Sequence, residues 1–464
     1  MPHHFQSPSF SRRTFITTAV GTGFSTILNG KEVDENLIIY QPESNIYKKL
    51  NVPFNSDLSF TPAAIAACTD EISVAAAIRY ARENKLKVSV KSGGHSFTGS
   101  SLINGGLVID VSGIRQKFYR AKYLSFTAGA GLKLGEVYDY LLRNGRLLPA
   151  GSCSGVGLSG LTLGGGYGFF ARQHGLTCDH LQQVKMVDAR GKFLDSDNDP
   201  ELLWACRGGG NGNLGVITSM KFSTVRAPKM FTTQKFRASK LTPSRAAKLL
   251  KGWFEVAAEL PKPMFSAFIL NGGHLTILIS STYSSSGPAF QKAKHALLKL
   301  GTKTRGTYSK PTATAVKTYS GRPNPLPFRN MSAGYYNGFA DLEDIAEELM
   351  KTTIANPGVL FQINTLGGAI SDSKVPSAYP HRAYPFLGEL QSYWQSPAQK
   401  ATLMPAVDKI RQLLSHIPHH YVNYPDPDLE KPNRSYYGEN LDKLSKIKQR
   451  LDPENFFSSA HLSI

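Results

Sequence analysis

The chain reads as an α+β protein in two parts: a first half of short strands and helices, and a second half in which longer helices back an antiparallel sheet. Three observations predict this. From Asp57 to about Pro228, strand and helix patterns alternate without the long regular crossovers of a doubly wound sheet. From about Met230 to His419 the helical stretches lengthen and strands intervene between them. Three glycine-rich loops fall within about one domain length of each other, more than simple turns require.

The elements follow in order. Ser11-Arg12-Arg13-Thr14-Phe15-Ile16 precedes a weakly apolar run to Leu28. Paired arginines ahead of such a run resemble a twin-arginine export signal over residues 1–30, although no small-residue cleavage site follows; a disordered basic tail is the alternative. Ala64–Cys68 is a short strand. Glu71–Glu83 is a helix, because Val74, Ala77, Ile78 and Ala81 recur at i, i+3, i+4 and i+7. Lys87–Lys91 and the alternating Leu107–Val111 are strands, and Leu134–Leu142 is helical. Val184–Asp188 and Lys192–Leu194, parted by Arg190-Gly191, form a hairpin. Further on, helices are expected at Pro243–Ala258, Gly287–Leu300, Leu342–Ile354 and Pro397–Ser415. Strands are expected at Met264–Leu270, Leu275–Ser281, Gly358–Thr365 and Phe386–Trp394. The Pro/Gly-rich stretch Ser320–Pro327 predicts a long loop near a site. A helix at Leu441–Arg450 stops at Asp452-Pro453.

Composition bounds the function. The chain has 464 residues, 41% hydrophobic and 19% charged, as in a folded globular protein. No apolar run is long enough to span a membrane. The net charge is +19, from 53 basic and 34 acidic residues. The basic residues are scattered, and no nucleic-acid fold signature accompanies them, so solvated helix faces and attraction for a cofactor phosphate explain the excess better than a nucleic-acid groove. Cys68, Cys153, Cys178 and Cys206 have no zinc-ligand spacing and are too few for a disulfide framework; a single disulfide is left open. The sequence carries no signal for oligomeric state.

The chemistry lies in the loops. Val88 and Val90 feed Lys91-Ser92-Gly93-Gly94-His95-Ser96, a strand, a tight turn able to present N–H groups to an anion, and a projecting imidazole. Eight of the twenty residues from Pro149 to Gly168 are glycine, which points to close backbone approach to something. Trp204 to Ile217 is the third loop. None fits the G-x-G-x-x-G dinucleotide fingerprint, and none has the lysine of a triphosphate-binding loop.

These three stretches, with Arg172, Gly175-Leu176, Asp179, Tyr421-Val422-Asn423-Tyr424, Tyr437-Gly438-Glu439-Asn440 and Asp452–Phe457, resemble the berberine-bridge-enzyme-like flavoproteins. These belong to the wider superfamily with the vanillyl-alcohol-oxidase (PCMH) type of FAD domain. The resemblance runs from about Asn55 to the end and implies a two-part FAD domain over 55–228 and 431–464, with a substrate domain over 229–430. It implies that His95 and Cys153 are both joined to the flavin, through a ring nitrogen and through sulfur; neutral imidazole and thiolate are the nucleophiles such chemistry needs. Two links would raise the flavin's redox potential and hold its ring in an open site. Ser92, Gly93, Gly94, Ser96, Gly157, Gly160, Gly165, Gly168, Gly215 and Ile217 would offer backbone to FAD, Lys91 belongs to the same loop, and Asn440 and Asn455 resemble positions at the flavin edge. Tyr167 and Asp179 are weaker candidates, and Pro380-His381-Arg382 is expected to be structural.

The resemblance also implies chemistry. Tyr424 matches a tyrosine that removes a hydroxyl proton before hydride leaves for the flavin. A phenol near its ordinary pKa of about 10 needs positive surroundings or a hydrogen-bonding partner to do this. Glu389 lies where plant alkaloid members place a catalytic glutamate, but a one-residue gap in the match leaves its direction open; strand alternation puts it on one face with Gln391. Val156 stands where small residues leave dioxygen a path. The expected function is a flavin-dependent oxidase of an alcohol or hemiacetal, carbohydrate or secondary metabolite, that passes electrons to dioxygen. The alternatives are a dehydrogenase of the same fold or an exported binding protein without turnover. Sugar stacking is expected from Tyr319, Tyr335, Tyr336, Tyr384 or Phe386.

Overall fold

In the computed structural model of the chain, residues 37–321 and 324–457 are described; the expected export signal lies outside them. Asp70 starts the first long helix, Glu71–Glu83: its Oδ1 accepts from the Ser73 N–H at 2.8 Å, and Val74, Ala77, Ile78 and Ala81 are buried beneath it. That helix covers a four-stranded sheet in the order Ile38–Tyr40, Ala64–Ala67, Leu107–Asp110, Val88–Lys91. Its last three strands pair in parallel, which accounts for their near-continuous apolar runs. A five-stranded antiparallel sheet follows in the order Lys117–Arg120, Ser125–Gly129, Val216–Ser223, Leu181–Val187, Phe193–Asp195. The expected hairpin joins its last two strands, with Gly191 at φ +80° in the turn.

The second half is a seven-stranded antiparallel sheet in the order Lys303–Pro311, Met230–Ser239, His274–Ser281, Met264–Asn271, Val359–Thr365, Phe386–Tyr393, Phe328–Tyr336. Helices Pro243–Ala258, Pro288–Lys299, Ala346–Ala355 and Pro397–Leu413 contribute to the core behind it, where Trp253, Phe268, Phe386 and Val407 are buried. Thr242 and Ser396 cap two of these helices, each ahead of a proline whose missing N–H costs nothing there. Because strand side chains alternate, Phe386 and Leu390 enter that core while Glu389, Gln391 and Tyr393 face a cavity on the other side.

The structure departs from the sequence pattern at several places. The edge strands Lys303–Pro311 and Phe328–Tyr336 lack an apolar signature: the first is polar and lysine-rich, as solvent-facing edges are, and the second is broken by a register shift at Gly334, φ +95°. Met230–Ser239 is a further strand that the pattern did not mark. Leu342–Ile354 is not one helix: a 3₁₀ segment, Phe339–Ile345, precedes Ala346–Ala355.

The C-terminal helix Leu441–Leu451 returns to the first half and buries Leu444, Ile447 and Leu451 in its core. Beyond it, the Val88 N–H donates to the Phe456 carbonyl at 3.1 Å. All four cysteines are free, and among the described residues no helix is long and apolar enough to cross a membrane.

Candidate active site

A cavity of about 860 Å³ lies between the glycine loops of the first half and the open face of the seven-stranded sheet. The first loop leaves the buried strand Val88–Lys91 and turns at Gly94, φ +69°. Ser92 pins it by donating to the Ala130 carbonyl at 2.7 Å. His95 then stacks on Phe54, ring centroids 3.9 Å apart. Burial, with Lys133 nearby, lowers its pKa to about 4, so the imidazole is neutral.

The second loop interlocks with the first. A Cβ at Gly93 would lie 2.3 Å from the Gly157 nitrogen, and one at Gly155 would lie 2.6 Å from His95 Nε2, so only glycine permits this approach. Cys153 is solvent-accessible on the cavity wall, with its Sγ beside Gly321. The Ser154 N–H donates to the Ser320 carbonyl at 2.9 Å, and Gly321 and Leu326 line the cavity, so described residues of the expected Ser320–Pro327 stretch border the site. Burial and the charge of Glu389 push the Cys153 thiol up, against a smaller opposing effect of Ser152. Val156 also lines the cavity, and its carbonyl accepts from the Leu134 N–H at 2.9 Å. From the third loop, Asn211 donates to the Gly160 carbonyl at 3.1 Å, and Gly215 and Ile217 reach the wall.

Tyr424 sits opposite. Its N–H donates to the Tyr421 carbonyl at 2.9 Å, its ring stacks on Phe97, and its hydroxyl meets that of Tyr167 at 2.7 Å. From there hydrogen bonds run along the sheet face. Asn364 donates to the Tyr167 hydroxyl at 3.1 Å, Gln362 to Asn364 at 2.9 Å and Gln391 to Gln362 at 3.3 Å. Tyr393 donates to Gln391 at 3.0 Å, and Asn330 to Tyr393 at 2.7 Å. Glu389 faces the same cavity, only 7% exposed, and burial raises its pKa to about 8 despite a hydrogen bond from Gln391. Burial and the Glu389 charge hold Tyr424 and Tyr167 well above the ordinary phenol value. Positive surroundings for Tyr424 are thus absent: among the described residues, no lysine or arginine lines this cavity. The excess positive charge therefore lies outside the lining of this cavity.

Ser92, Gly93, Gly94, His95, Ser96, Cys153, Val156, Gly157, Gly160, Gly168, Gly215, Ile217, Glu389 and Tyr424 all line the cavity. Four expected positions do not. Lys91 pairs with buried Asp110 at 3.3 Å and donates to the Leu50 carbonyl. Gly165, φ +113°, lies under the Tyr379 ring, where a Cβ would be 2.9 Å from that side chain. Asn440 donates to the Ala378 carbonyl at 3.1 Å, and Asn455 is an exposed turn residue whose carbonyl accepts from Lys87. Asp179 lies outside too, paired with Arg382 at 2.5 Å, which makes Pro380-His381-Arg382 structural as expected. None of the five proposed stacking aromatics reaches the cavity: Tyr335, Tyr336 and Phe386 are core residues, Tyr384 packs near His419, and Tyr319 packs on Phe169. Phe97, Phe169, Phe265 and Phe328 line it instead. The amide row was missed because glutamine and asparagine on a strand face carry no motif; only alternation from Glu389 pointed there.

The residues fit a flavin dinucleotide. A neutral imidazole and an accessible thiol flank the cavity, glycine backbone from three loops lines it, and a Cβ at Gly160 would meet nothing closer than 3.8 Å.

The comparisons with known proteins agree. The FAD binding domain family matches residues 62–197, and the "Berberine and berberine like" family matches 420–464. The FAD-linked oxidoreductase YvdP of Bacillus subtilis (strain 168) is 31% identical over 87% of this chain and 92% of its own length. The xylooligosaccharide oxidase from Myceliophthora thermophila C1, solved with xylobiose, superposes with a TM-score of 0.82 at 25% identity, covering 91% of this chain and 96% of that one. A glucooligosaccharide oxidase from Acremonium strictum, studied for its 6-S-cysteinyl, 8α-N1-histidyl FAD, shares the fold with a TM-score of 0.81 at 23% identity over 91% and 96% of the two chains. FAD is the cofactor, and the chain belongs to the berberine-bridge-enzyme-like FAD-linked oxidoreductases.

Proposed function

We propose that this enzyme is an oxidase of a carbohydrate hydroxyl or hemiacetal, with FAD held by both His95 and Cys153 and dioxygen as the electron acceptor. In this reading residues 55–228 and 431–464 hold the cofactor, and 229–430 hold the substrate. One observation carries it: a tyrosine pair, a buried carboxyl and a row of amides converge in one cavity with a neutral imidazole and an accessible thiol. An amide row offers donors and acceptors to several hydroxyls at once, while the phenylalanines that line the same cavity suit the apolar faces of sugar rings. The xylobiose complex of the xylooligosaccharide oxidase supports the same substrate class.

Bound FAD supplies the two-electron acceptor that side chains lack. The protein handles the proton. Tyr424 is a protonated phenol, so it takes the substrate's hydroxyl proton only as its own proton moves on. Glu389, poised at about 8, is the acceptor that makes this feasible near neutral pH. Tyr167, held by Asn364, fixes the Tyr424 hydroxyl. For the cofactor, Nε2 of His95 packs over Gly155, which leaves Nδ1 as the linking nitrogen.

A screen of mono- and oligosaccharides for hydrogen peroxide tests the substrate class. Tyr424→Phe is expected to keep the flavin and lose about 10²–10⁴-fold in kcat. A variant that retains wild-type kcat removes Tyr424 from the chemistry.

A further inference from the structure

We propose that a file of tyrosines, Tyr424–Tyr421–Tyr379–Tyr335–Tyr384, carries oxidising equivalents from the active-site cavity to the protein surface and so protects the site from radical damage. The ring centroids of Tyr424 and Tyr421 are 5.1 Å apart, and those of Tyr421 and Tyr379 are 6.4 Å apart. The hydroxyls of Tyr379 and Tyr335 meet at 2.7 Å, and the rings of Tyr335 and Tyr384 are 5.7 Å apart. Every step is short enough for an electron to tunnel between aromatic rings. The file starts on the cavity wall at Tyr424 and ends at Tyr384, a partly exposed residue outside that wall.

Packing alone does not call for this composition. Phenylalanine would fill the same core without a buried hydroxyl to satisfy. Tyr335 and Tyr379 instead bond to each other, an arrangement that lets a phenolic proton shift as an electron leaves. At the outer end, the ring of His419 lies 5.4 Å from Tyr384, and its buried Nδ1 has no hydrogen-bond partner among the described residues. Burial lowers the pKa of that imidazole, which favours its neutral form.

A hydroxyl radical, formed when a ferrous-class ion in solvent gives one electron to hydrogen peroxide and leaves hydroxide, takes one electron and one proton from Tyr424 and becomes water. One electron then passes inward from Tyr384 through Tyr335, Tyr379 and Tyr421 to Tyr424, which takes a replacement proton from solvent reaching the cavity while Tyr384 releases its own proton to solvent at the surface. Tyr384 is left as a neutral phenoxyl radical, one electron and one proton poorer, and a thiol- or ascorbate-class reductant in solvent restores it. The source of the oxidant rests on the oxidase reading above; the path does not.

The test uses the flavin-loaded enzyme without substrate or dioxygen. Blue light makes the bound cofactor a one-electron oxidant inside the cavity, a nitroso spin trap captures tyrosyl radicals, and mass spectrometry locates the adducts. The expected adduct is on Tyr384. In Tyr379→Phe it is lost from Tyr384 and retreats to Tyr424 or Tyr421. In Tyr384→Phe the surface adduct disappears and the radical's paramagnetic signal lives longer, with flavin content unchanged. Labelling of Tyr384 no greater than that of Tyr308, which is 60% exposed and off the file, overturns the proposal. So does labelling of Tyr384 that persists in Tyr379→Phe, or a radical lifetime unchanged in Tyr384→Phe. Peroxide formation on sugars is read separately, so a failed path and a failed oxidase assignment are distinguishable.

Discussion

At the scale of the residue, burial governs Glu389, and burial together with Glu389 governs the protonation of Tyr424. Ionised Glu389 raises the phenol, and burial keeps Glu389 itself protonated up to about pH 8. If Glu389 is the final proton acceptor, it must be ionised to act, so kcat/KM rises with pH and levels off above about 8. Glu389→Gln is expected to remove that inflection and to cost about 10²–10⁴-fold in kcat/KM. A pH–rate profile that keeps its inflection in the variant assigns it elsewhere. Val156 acts through volume alone. Val156→Leu adds a methylene to the cavity wall, which is expected to slow flavin reoxidation by dioxygen and spare reduction by substrate in stopped-flow measurements. Reoxidation that is already slow in the wild type and unchanged in the variant favours a dehydrogenase.

At the scale of the element, sequence patterning performed best where a segment has one buried face. Pro243–Ala258 matches its expected bounds because a cap and one core stripe leave no competing register; Glu71–Glu83 matches too, its start fixed by the Asp70 cap, although residues 73–78 are all buried. It failed at both edges of the large sheet, where Lys303–Pro311 and Phe328–Tyr336 need no continuous apolar run. The site divides in the same way. Glycine loops with a histidine and a cysteine are legible because close backbone approach demands glycine. Asn440 and Asn455 lie in recognisable motifs yet face away from the cavity, since orientation depends on tertiary packing. The C-terminal helix presents a separate test. Buried Lys448 Nζ pairs with Asp452 at 2.6 Å and donates to the Asn213 carbonyl of the third loop at 2.7 Å, while Asp452 also accepts from the Phe456 and Phe457 N–H groups. Lys448→Met leaves Asp452 buried without its cation and is expected to cost about 3–5 kcal/mol in chemical denaturation. Lys448→Met/Asp452→Asn removes both charges and keeps one of the two N–H bonds, because the amide nitrogen cannot accept the other, and is expected to recover part of that loss.

At the scale of the whole molecule, a chain of net charge +19 encloses a cavity whose described lining has no lysine or arginine. Scattered positive charge on such a surface favours approach of anions in general, whereas the cavity is built from glycine backbone, amides and aromatic rings. Those are the groups that hold a dinucleotide by its backbone contacts and a neutral polyol by its hydroxyls. The two halves contribute separately: one core lies under the glycine loops, the other behind the sheet, and the reactive side chains meet between them.

Double attachment of the flavin underlies the whole reading of the site. Mass and visible absorbance of the denatured wild type beside His95→Ala, Cys153→Ala and the double variant test it. Flavin is expected to stay with the denatured wild type and with each single variant, and to be lost only when both residues are replaced. A yellow colour that leaves the wild-type chain on denaturation would contradict it.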